Sequence, residues 1–329
     1  MWRLLITLNK KLVVAIPVML VAGFCTGAMV DPALIIHLKK LILPLTFLMV
    51  YPMMVTLNIN HLLKGLTNIR LQIVTQLINF AVIPFVAYAL GRLFFADAPY
   101  LALGLLLAAL LPTSGMTISW TGFARGNMGA AINMTIIGLT LGCLATPFYV
   151  LILMGTAVNV NLMMVAQQIV TIVFIPMALG IFTRQQLLKR HDPQAFKQRI
   201  APRFPAMSTL GVLGIVFVAM ALKARTILGE PSLVLAIFIP LIVVYLFNFA
   251  FSTVIGKLFF ARDDAIALVY GTVMRNLSIA LAISINAFGE AGANAALVIA
   301  VSYVIQVQAA AWYVKLTDRV FGPKLEGGA

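Results

Sequence analysis

Arg275 has the clearest capacity for chemistry in this sequence, because it lies near the middle of an apolar stretch, 265–288. A guanidinium at the centre of a bilayer costs about 2.5–3.5 kcal/mol on insertion scales. The 9 acidic residues all fall in loops or at the ends of apolar stretches. We therefore expect Arg275 to bond to backbone carbonyls, to water or to a ligand, and not to a carboxylate.

Two functional roles are open to this guanidinium. Its planar fork can bind an anionic substrate. It can also serve as a built-in cation that bonds to unwound carbonyls where a related protein would bind a metal ion. A structural role in a water-filled crevice is the alternative to both. Because an intramembrane charge marks a functional site by default, we favour a role in substrate binding or coupling.

Helix-breaking residues lie near the middle of two apolar stretches. The stretch 99–123 contains LPTSG at 111–115, where the proline removes a backbone donor and the glycine supplies backbone freedom. The stretch 265–288 contains RNLS at 275–278. Ser, Thr or Asn in each stretch can cap a new helix start. We therefore predict two helices interrupted at mid-membrane, whose second halves both point a positive end into one site.

The predicted substrate-binding residues offer a charge or a hydrogen bond at this depth; they are Arg275, Asn276, Ser278, Thr113, Ser114 and Asn133. Other polar residues there can line the site, although an interhelical hydrogen bond is the simpler explanation for each. The 2 cysteines lie in separate apolar stretches and the 3 histidines in loops or at stretch ends, so we predict no metal site and no cofactor. The lack of paired acids at depth also disfavours an intramembrane enzyme.

Composition identifies the elements that must position these residues. Hydrophobic residues make up 62% of the chain and charged residues 10%, whereas soluble domains carry roughly 45–50% and about 25%. A net charge of +14 would suggest nucleic acid in a soluble protein. Here the basic residues lie in short loops between apolar runs, as topology signals do. The expected partner is therefore a lipid bilayer and not nucleic acid.

A bilayer core of about 30 Å needs roughly 20 apolar residues per helix. On that basis the sequence predicts ten spans, near 12–30, 41–57, 71–91, 99–123, 128–154, 162–183, 207–222, 233–256, 265–288 and 294–314. The distribution of Lys and Arg predicts that both termini are cytoplasmic. The basic stretch 184–203 is interpreted as a solvated cytoplasmic loop. It divides a single membrane domain, 1–329, into two inverted five-span repeats, about 1–160 and 161–329.

Two stretches resemble parts of a known family. PTSGMTISWTGFARGNMGAAINMT at 112–135 and VMRNLSIALAISINAFG at 273–289 resemble the two broken helices of the bile acid:sodium symporter superfamily. Within it, the chain resembles the arsenical-resistance efflux branch and its relatives. The resemblance implies an all-α fold with alternating access. Spans 1, 2, 6 and 7 would form a panel, and spans 3–5 and 8–10 a core that carries crossed spans four and nine. We expect a multi-pass protein of the bacterial inner membrane.

The resemblance to sodium-coupled members also bears on ion coupling. In those members the second broken helix gives a glutamate and a glutamine to sodium, and Gly271 and Arg275 stand at the matching positions here. Four further sodium ligands, Ser, Asn, Ser and Thr, correspond to Thr117, Ile118, Ala131 and Thr135. Thr117, Thr135 and Gln76 are therefore the candidates for ion coupling. Because half of these four ligands and the carboxylate are missing, sodium coupling is doubtful on chemical grounds.

The arsenite-efflux branch has a cysteine and a glutamate where this chain has Thr113 and Ser278. Without them, a charged oxyanion or carboxylate is a better substrate than a neutral metalloid hydroxide. The leading hypothesis is a secondary transporter of a small anion, of the arsenical-resistance efflux type, for a metalloid oxyanion. The alternative is a sodium-coupled symporter of organic anions, bile-acid-like or small carboxylate; an intramembrane enzyme or receptor is less favoured. Coupling ion, direction and oligomeric state stay open.

Overall fold

The computed structural model describes residues 11–56, 68–158, 161–289 and 291–323. Within these ranges the chain is built of helices joined by short connections, and no strand is present. Six of the helices are long and apolar enough to cross a membrane. The predicted all-α, multi-pass membrane fold is confirmed at this level.

Twelve helices of eight or more residues occur in the described ranges. They are α1 (Leu12–Met29), α2 (Ile42–Thr56), α3 (Ile69–Phe94), α4 (Pro99–Leu110), α5 (Gly115–Phe123), α6 (Met128–Met154), α7 (162–190), α8 (Arg203–Gly229), α9 (Ser232–Phe259), α10 (Arg262–Val273), α11 (Leu277–Phe288) and α12 (Gly292–Phe321). A π-helical turn interrupts α3 at Ile78–Val82 and α7 at Val170–Phe174. Short helical segments, Pro32–Ile35 and Ile36–Leu41, connect α1 to α2.

The basic stretch 184–203 differs from the solvated loop that the sequence predicts. Helix α7 continues through it as far as Arg190, and two short helical segments, Pro193–Ala195 and Phe196–Ile200, lead into α8. Phe196 is 3% exposed, and the Arg184 guanidinium lies 5.3 Å from the centre of its ring. The predicted spans end too early here because hydropathy marks where apolar residues stop, whereas backbone hydrogen bonding continues into the polar stretch.

Helices α1, α2, α7 and α8 approach one another through glycines. A methyl group placed on Gly211 of α8 would lie 2.5 Å from the backbone nitrogen of Met49 on α2. One placed on Gly23 of α1 would lie 2.5 Å from the carbonyl oxygen of Phe217 on α8. Because small residues let helix backbones come this close, these helices form one tightly packed group, here called the four-helix set.

The other eight helices, α3–α6 and α9–α12, pack in the same way and are here called the eight-helix set. A methyl group on Gly104 of α4 would lie 2.6 Å from the carbonyl oxygen of Ala295 on α12. The two sets meet where α12 packs against α1 and α8 and where α11 packs against α2 and α7. For the glycines in the described ranges, every such approach under 3.4 Å between helices stays within one set. The division into panel helices (spans 1, 2, 6 and 7) and core helices (spans 3–5 and 8–10) stays a prediction.

Candidate functional site

The chain leaves the helical conformation twice, between α4 and α5 and between α10 and α11, and the two interruptions lie against each other. The Thr113 N–H donates to the Met274 carbonyl at 2.7 Å, and the Asn276 N–H donates to the Leu111 carbonyl at 2.7 Å. These reciprocal bonds form an antiparallel bridge centred on Pro112 and Arg275. The two predicted helix interruptions are therefore present, and they are paired.

Thr113 carries the strain of the first interruption. Its φ is +63°, a region that costs a non-glycine residue about 1–3 kcal/mol. Its hydroxyl donates to the Pro112 carbonyl at 2.6 Å and to the Thr135 carbonyl on α6 at 3.2 Å. These bonds offset part of the strain. Gly115, which is predicted to supply backbone freedom, instead begins α5 and does not have a positive φ.

The helices that follow the interruptions, α5 and α11, both start with a side-chain cap, as the sequence predicts. The Ser114 hydroxyl accepts from the Met116 N–H at 3.2 Å, and the Thr117 hydroxyl accepts from the Ser114 N–H at 3.1 Å. The Asn276 side-chain oxygen accepts from the Ile279 N–H at 3.3 Å. The first N–H groups of a helix have no intrahelical acceptor. The capped starts of α5 and α11 therefore leave further backbone donors for a ligand.

A cavity of about 370 Å³ lies beside the paired interruptions. The eight-helix set lines it with Ser114, Gly115, Met116, Ser119, Arg275, Asn276, Leu277, Ser278 and Tyr303. The four-helix set and the segment before α8 line it with Met53, Thr56, Pro202, Pro205, Ser208, Thr209 and Val212. Four of the six predicted substrate-binding residues are in this lining, whereas Thr113 and Asn133 lie outside it.

Asn276 and Ser278 present different groups to this cavity. Asn276 is 1% exposed, and its oxygen caps α11, but its side-chain nitrogen has no hydrogen-bond partner among the residues that the structure describes. The Ser278 hydroxyl is bonded to the Tyr303 hydroxyl of α12. An unpaired buried amide donor costs about 1–3 kcal/mol. The Asn276 nitrogen is therefore available to an acceptor in the cavity.

The Arg275 guanidinium lies on the far side of the paired interruptions. Arg275 is 3% exposed, and its Nη1 donates to the carbonyl of Ala109, near the end of α4, at 3.0 Å. Ala109, Tyr245 and Ser302 help to line a second cavity of about 10 Å³ there, which is roughly the space one water molecule needs. This cavity is too small for a substrate, and Arg275 lines both cavities.

Side-chain donors also form hydrogen bonds to the carbonyl groups at the ends of α4 and α10, the helices that precede the two interruptions. Arg275 donates to the end of α4, and two asparagine side chains donate to the end of α10. Asn79 Nδ2 lies 3.0 Å from the Gly271 carbonyl, and Asn248 Nδ2 lies 2.9 Å from the Thr272 carbonyl. Helix C-termini carry partial negative charge and favour cations. Here a guanidinium and two amides stabilise these ends.

The residues predicted for ion coupling are engaged in the protein in different ways. Thr117 is fully buried, and its hydroxyl accepts from the Ser114 N–H, as described above. The Thr135 hydroxyl donates to the Ala131 carbonyl at 2.7 Å, while the Gln76 amide atoms are buried and have no hydrogen-bond partner in the described part of the chain. A methyl group on Gly271 would lie 2.5 Å from the sulfur of Met134. Met134 therefore fills the space beside this glycine of α10.

Gln306 on α12 is one of the other polar residues that the sequence places at membrane depth, whereas Tyr303 is not among the predicted residues. The Gln306 side chain accepts from the Arg275 N–H at 2.8 Å and donates to the Arg275 carbonyl at 3.2 Å. Tyr303 lies three residues before Gln306 on the same helix face and reaches the cavity. The spacing of two polar residues in an apolar helix was the available signal.

An all-helical membrane protein with two paired, interrupted helices beside a cavity is of the class of secondary transporters. A sequence model described as the Sodium Bile acid symporter family matches residues 43–230. The chain belongs to this family, and the predicted resemblance to it is confirmed.

Three relatives are similar to this chain over most of its length. The arsenical-resistance protein Acr3 of Corynebacterium glutamicum is 25% identical over 261 residues, covering 75% of this chain and 70% of the relative. The Acr3 protein of Alkaliphilus metalliredigens is 24% identical over 290 residues, covering 84% and 80%. The uncharacterized transporter slr0944 of Synechocystis is 23% identical over 282 residues, covering 79% and 73%. The chain is thus similar to arsenical-resistance proteins along most of its length.

Proposed function

We propose that this protein is a secondary transporter that moves a small anion by alternating access, with a metalloid oxyanion as the first substrate class to test. The observation that carries this proposal is the convergence of two capped helix starts on one cavity. The starts of α5 and α11 offer backbone N–H groups there, and Asn276 adds an unpaired amide donor. Similarity to two arsenical-resistance proteins supports the substrate class.

In this proposal the substrate contacts neutral donors, and Arg275 acts from behind them as a fixed cation. The N–H groups, the Asn276 amide and the Ser278 and Tyr303 hydroxyls hold the anion. Helix N-termini favour anions through their partial positive charge. The guanidinium adds a full charge in a site of low dielectric constant, where its potential is weakly screened. The predicted roles of substrate ligand and built-in cation are thereby divided between separate groups.

Transport should be independent of sodium. The carbonyl ends that would attract a metal ion already have Arg275, Asn79 and Asn248 as donors. Met134 fills the space beside Gly271, where a carboxylate would stand in sodium-coupled relatives. We expect equal initial rates of anion flux in proteoliposomes with sodium, potassium or choline as the only external cation. A rate that rises with sodium concentration would contradict this.

A ten-span architecture of two inverted repeats underlies the proposal. The sequence NFA followed by GRLFFA occurs in α3 and its end, 79–96, and NFA followed by GKLFFA occurs in α9 and its end, 248–261. Methyl groups on Gly91 and Gly256, the glycines of these motifs, would each lie 3.1 Å from the Cβ of an alanine in the following helix. Corresponding motifs in spans three and eight support a repeat of five spans. An odd number of spans per repeat inverts the second one.

Binding of candidate anions to purified protein is the direct test of the substrate class. We expect arsenate or another metalloid oxyanion to raise the thermal unfolding midpoint, because a ligand that binds only the folded state stabilises it. Antimonite and arsenite serve as neutral comparisons. Counterflow of the stabilising anion in proteoliposomes then tests transport. Stabilisation by arsenite alone would overturn the preference for a charged substrate.

An organic anion is the second candidate, and the size of the cavity favours it. A volume of about 370 Å³ falls within the range of roughly 300–1,000 Å³ found for drug-sized ligands. Met53, Met116 and Val212 give part of the lining an apolar character. Small carboxylates and bile salts therefore belong in the same thermal screen. Stabilisation by these compounds, without any by oxyanions, would select this alternative.

A further inference from the structure

Asp264 joins the starts of three helices at one end of the eight-helix set. Its Oδ2 accepts from Asn68 Nδ2 at 2.6 Å, and its Oδ1 accepts from Asn127 Nδ2 at 2.8 Å. Asn68 is the N-cap of α3, Asn127 is the N-cap of α6, and Asp264 itself lies in the first turn of α10. One carboxylate therefore connects three helix N-termini.

Each asparagine uses both ends of its amide. The Asn68 oxygen accepts from the Leu71 N–H at 3.1 Å, and the Asn127 oxygen accepts from the Ala130 N–H at 3.0 Å. Their nitrogens are thereby directed to the carboxylate. Three partly positive helix ends and one negative charge attract each other, and hydrogen bonds to an ionised acceptor are about twice as strong as neutral ones.

Arg262, at the start of α10, extends this connection to α12 and to the turn after α5. It donates to Asp318 at 2.5 Å, to the Gly322 carbonyl at 2.8 Å and to the Arg125 carbonyl at 3.3 Å. Arg125, with φ +57°, shapes that turn. The Arg262–Asp318 pair lies partly in solvent, so by itself it contributes little. Its effect here is to link elements.

Arg70 links the start of α3 to the end of α9. Its guanidinium lies 5.7 Å from the ring centres of both Phe259 and Phe260. With Asp264 and Arg262, these contacts connect α3, the α5–α6 turn, α9, α10 and α12. All of these elements belong to the eight-helix set. We call this group of contacts the Asp264 node.

We propose that Asp264 is a positioning residue: the Asp264 node fastens the eight-helix set into one body, so that the two interrupted helices move together during transport. This inference rests on the proposed transport function. The two sets meet without close glycine approaches in the described ranges; the nearest is the methyl end of Met53, 4.0 Å from a methyl group placed on Gly115. An interface between side chains can slide, whereas the eight-helix set is held by backbone packing and by the node.

The position of α5 explains why the node matters for the cavity. Helix α5 lines the cavity with Met116 and Ser119, and it ends at the turn before Asn127, whose N–H donates to the Asp263 carbonyl at 2.9 Å. The node therefore holds the far end of α5 against α10. If these ends separate, α5 and α11 no longer move together during transport, although each still presents its start to the cavity.

The first test is Asp264→Asn, with Asp97→Asn as the matched control, because Asp97 is exposed in the connection between α3 and α4. Hydrogen exchange of purified protein should rise about tenfold in the first turns of both α3 and α6, since a charged acceptor shared by both caps is lost. The transport rate should fall by a similar factor while the anion Kd stays within about twofold, because the cavity residues are unchanged. The control should match the parent protein. Unchanged exchange in Asp264→Asn would overturn the proposal.

The second test replaces the polar link with a covalent one. Asn68→Cys and Asp264→Cys are introduced into a protein in which Cys25 and Cys143 have been replaced. A short, reducible bis-thiosulfonate reagent then bridges the two new cysteines. The bridged protein should transport at a rate near that of the cysteine-free parent, and reduction should slow it. A bridged protein that binds the anion but does not transport it would overturn the proposal, because these helices would then have to separate. If the parent transports no anion, the proposed function fails, while hydrogen exchange still decides whether the node holds the helices together.

Discussion

At the scale of single residues, the location of the Arg275 guanidinium is the main finding. A buried charge with one bond to the Ala109 carbonyl lies against the end of α4, beside the larger cavity. Two facts explain this position. Gln306 fixes the Arg275 backbone from α12, and the α4 carbonyl end attracts a cation. In the proposed function the charge acts through its potential, while neutral donors face the cavity.

Arg275 substitutions should separate charge from hydrogen bonding. We expect Arg275→Ala to abolish transport, because it removes the charge and leaves the Ala109 carbonyl buried without its donor, a loss of about 1–3 kcal/mol. Arg275→Gln should remain inactive although it can still donate a hydrogen bond, and Arg275→Lys should keep measurable flux. Flux in proteoliposomes is the measurement, with circular dichroism as the control for folding. Full activity of Arg275→Ala would leave this arginine a structural residue.

Asn276 substitutions should separate helix capping from substrate binding. Asn276→Asp keeps an oxygen that can accept from the Ile279 N–H, so α11 should keep its cap. It removes the unpaired amide donor and places a negative charge beside the anion. We expect a thermal midpoint near that of the parent protein and a loss of anion binding of at least about tenfold. Asn276→Ala should lower the midpoint as well, because a cap is worth about 1 kcal/mol.

The remaining predicted donors should matter less. Ser114→Ala, Ser278→Ala and Thr113→Val each remove hydrogen bonds but no charge, so intermediate losses of flux are expected. For Thr113 the loss should come from a strained turn that loses its bonds to Pro112 and Thr135. Wild-type flux in all three variants would show that none of these hydroxyls contributes.

At the scale of elements, the paired interruptions depend on close packing against α6. A methyl group on Gly142 of α6 would lie 2.9 Å from the Pro112 side chain, and one on Gly138 of α6 would lie 2.8 Å from the Thr113 side chain. Short α4, α5, α10 and α11 cannot each span a bilayer alone, since a span needs roughly 20 residues. Their caps and this packing against α6 hold the two interruptions in place against each other.

Gly138→Ala should disturb the pairing of the two interruptions. The added methyl group would lie 2.8 Å from the Thr113 hydroxyl oxygen and 3.4 Å from its methyl carbon, and overpacking of this kind costs about 1–3 kcal/mol. We expect a lower thermal midpoint and slower transport. Gly229→Ala is the control, because no atom lies within 4 Å of the added group there. Equal thermal midpoints for the two variants would show that α6 does not constrain the paired interruptions.

At the scale of the whole molecule, two closely packed sets of helices enclose the cavity between them. The cavity is lined at one end by Thr56, where α2 ends, and by Pro202, before α8 begins. The charge distribution predicts that this end faces the cytoplasm. On the other side of the interruptions, α11 packs against α2 and α7. We therefore expect the site to be reached from the predicted cytoplasmic side.

Cysteine labelling should reveal that access. Ser119 is exposed and lines the cavity, whereas Cys143 is 1% exposed. In a protein without Cys25, we expect Ser119→Cys to react with a membrane-impermeant maleimide in inside-out vesicles, and Cys143 to stay unlabelled. A substrate anion should slow the reaction at position 119. Labelling only in right-side-out vesicles would reverse the predicted orientation.

The sequence by itself predicted the all-helical membrane fold, the two interruptions and the family. Each of these depends on local composition: apolar runs predict spans, and LPTSG at 111–115 and RNLS at 275–278 break helices through their own backbone and capping chemistry. The sequence also showed that Arg275 has no acidic residue at its depth. Ser114, Asn276 and Ser278 are three of the four predicted substrate-binding residues that line the cavity, and they do so for the same local reason, since they lie at helix starts.

Only the tertiary structure decided which way the side chains point and which elements meet. Sequence could not show that the Arg275 guanidinium lies on the Ala109 carbonyl, that Thr113 bonds to α6, or that Asp264 joins the caps of α3 and α6. Each partner is distant along the chain, so no local pattern records it. The pairing is fixed by how closely the helices approach, and that distance depends on glycines in different helices acting together.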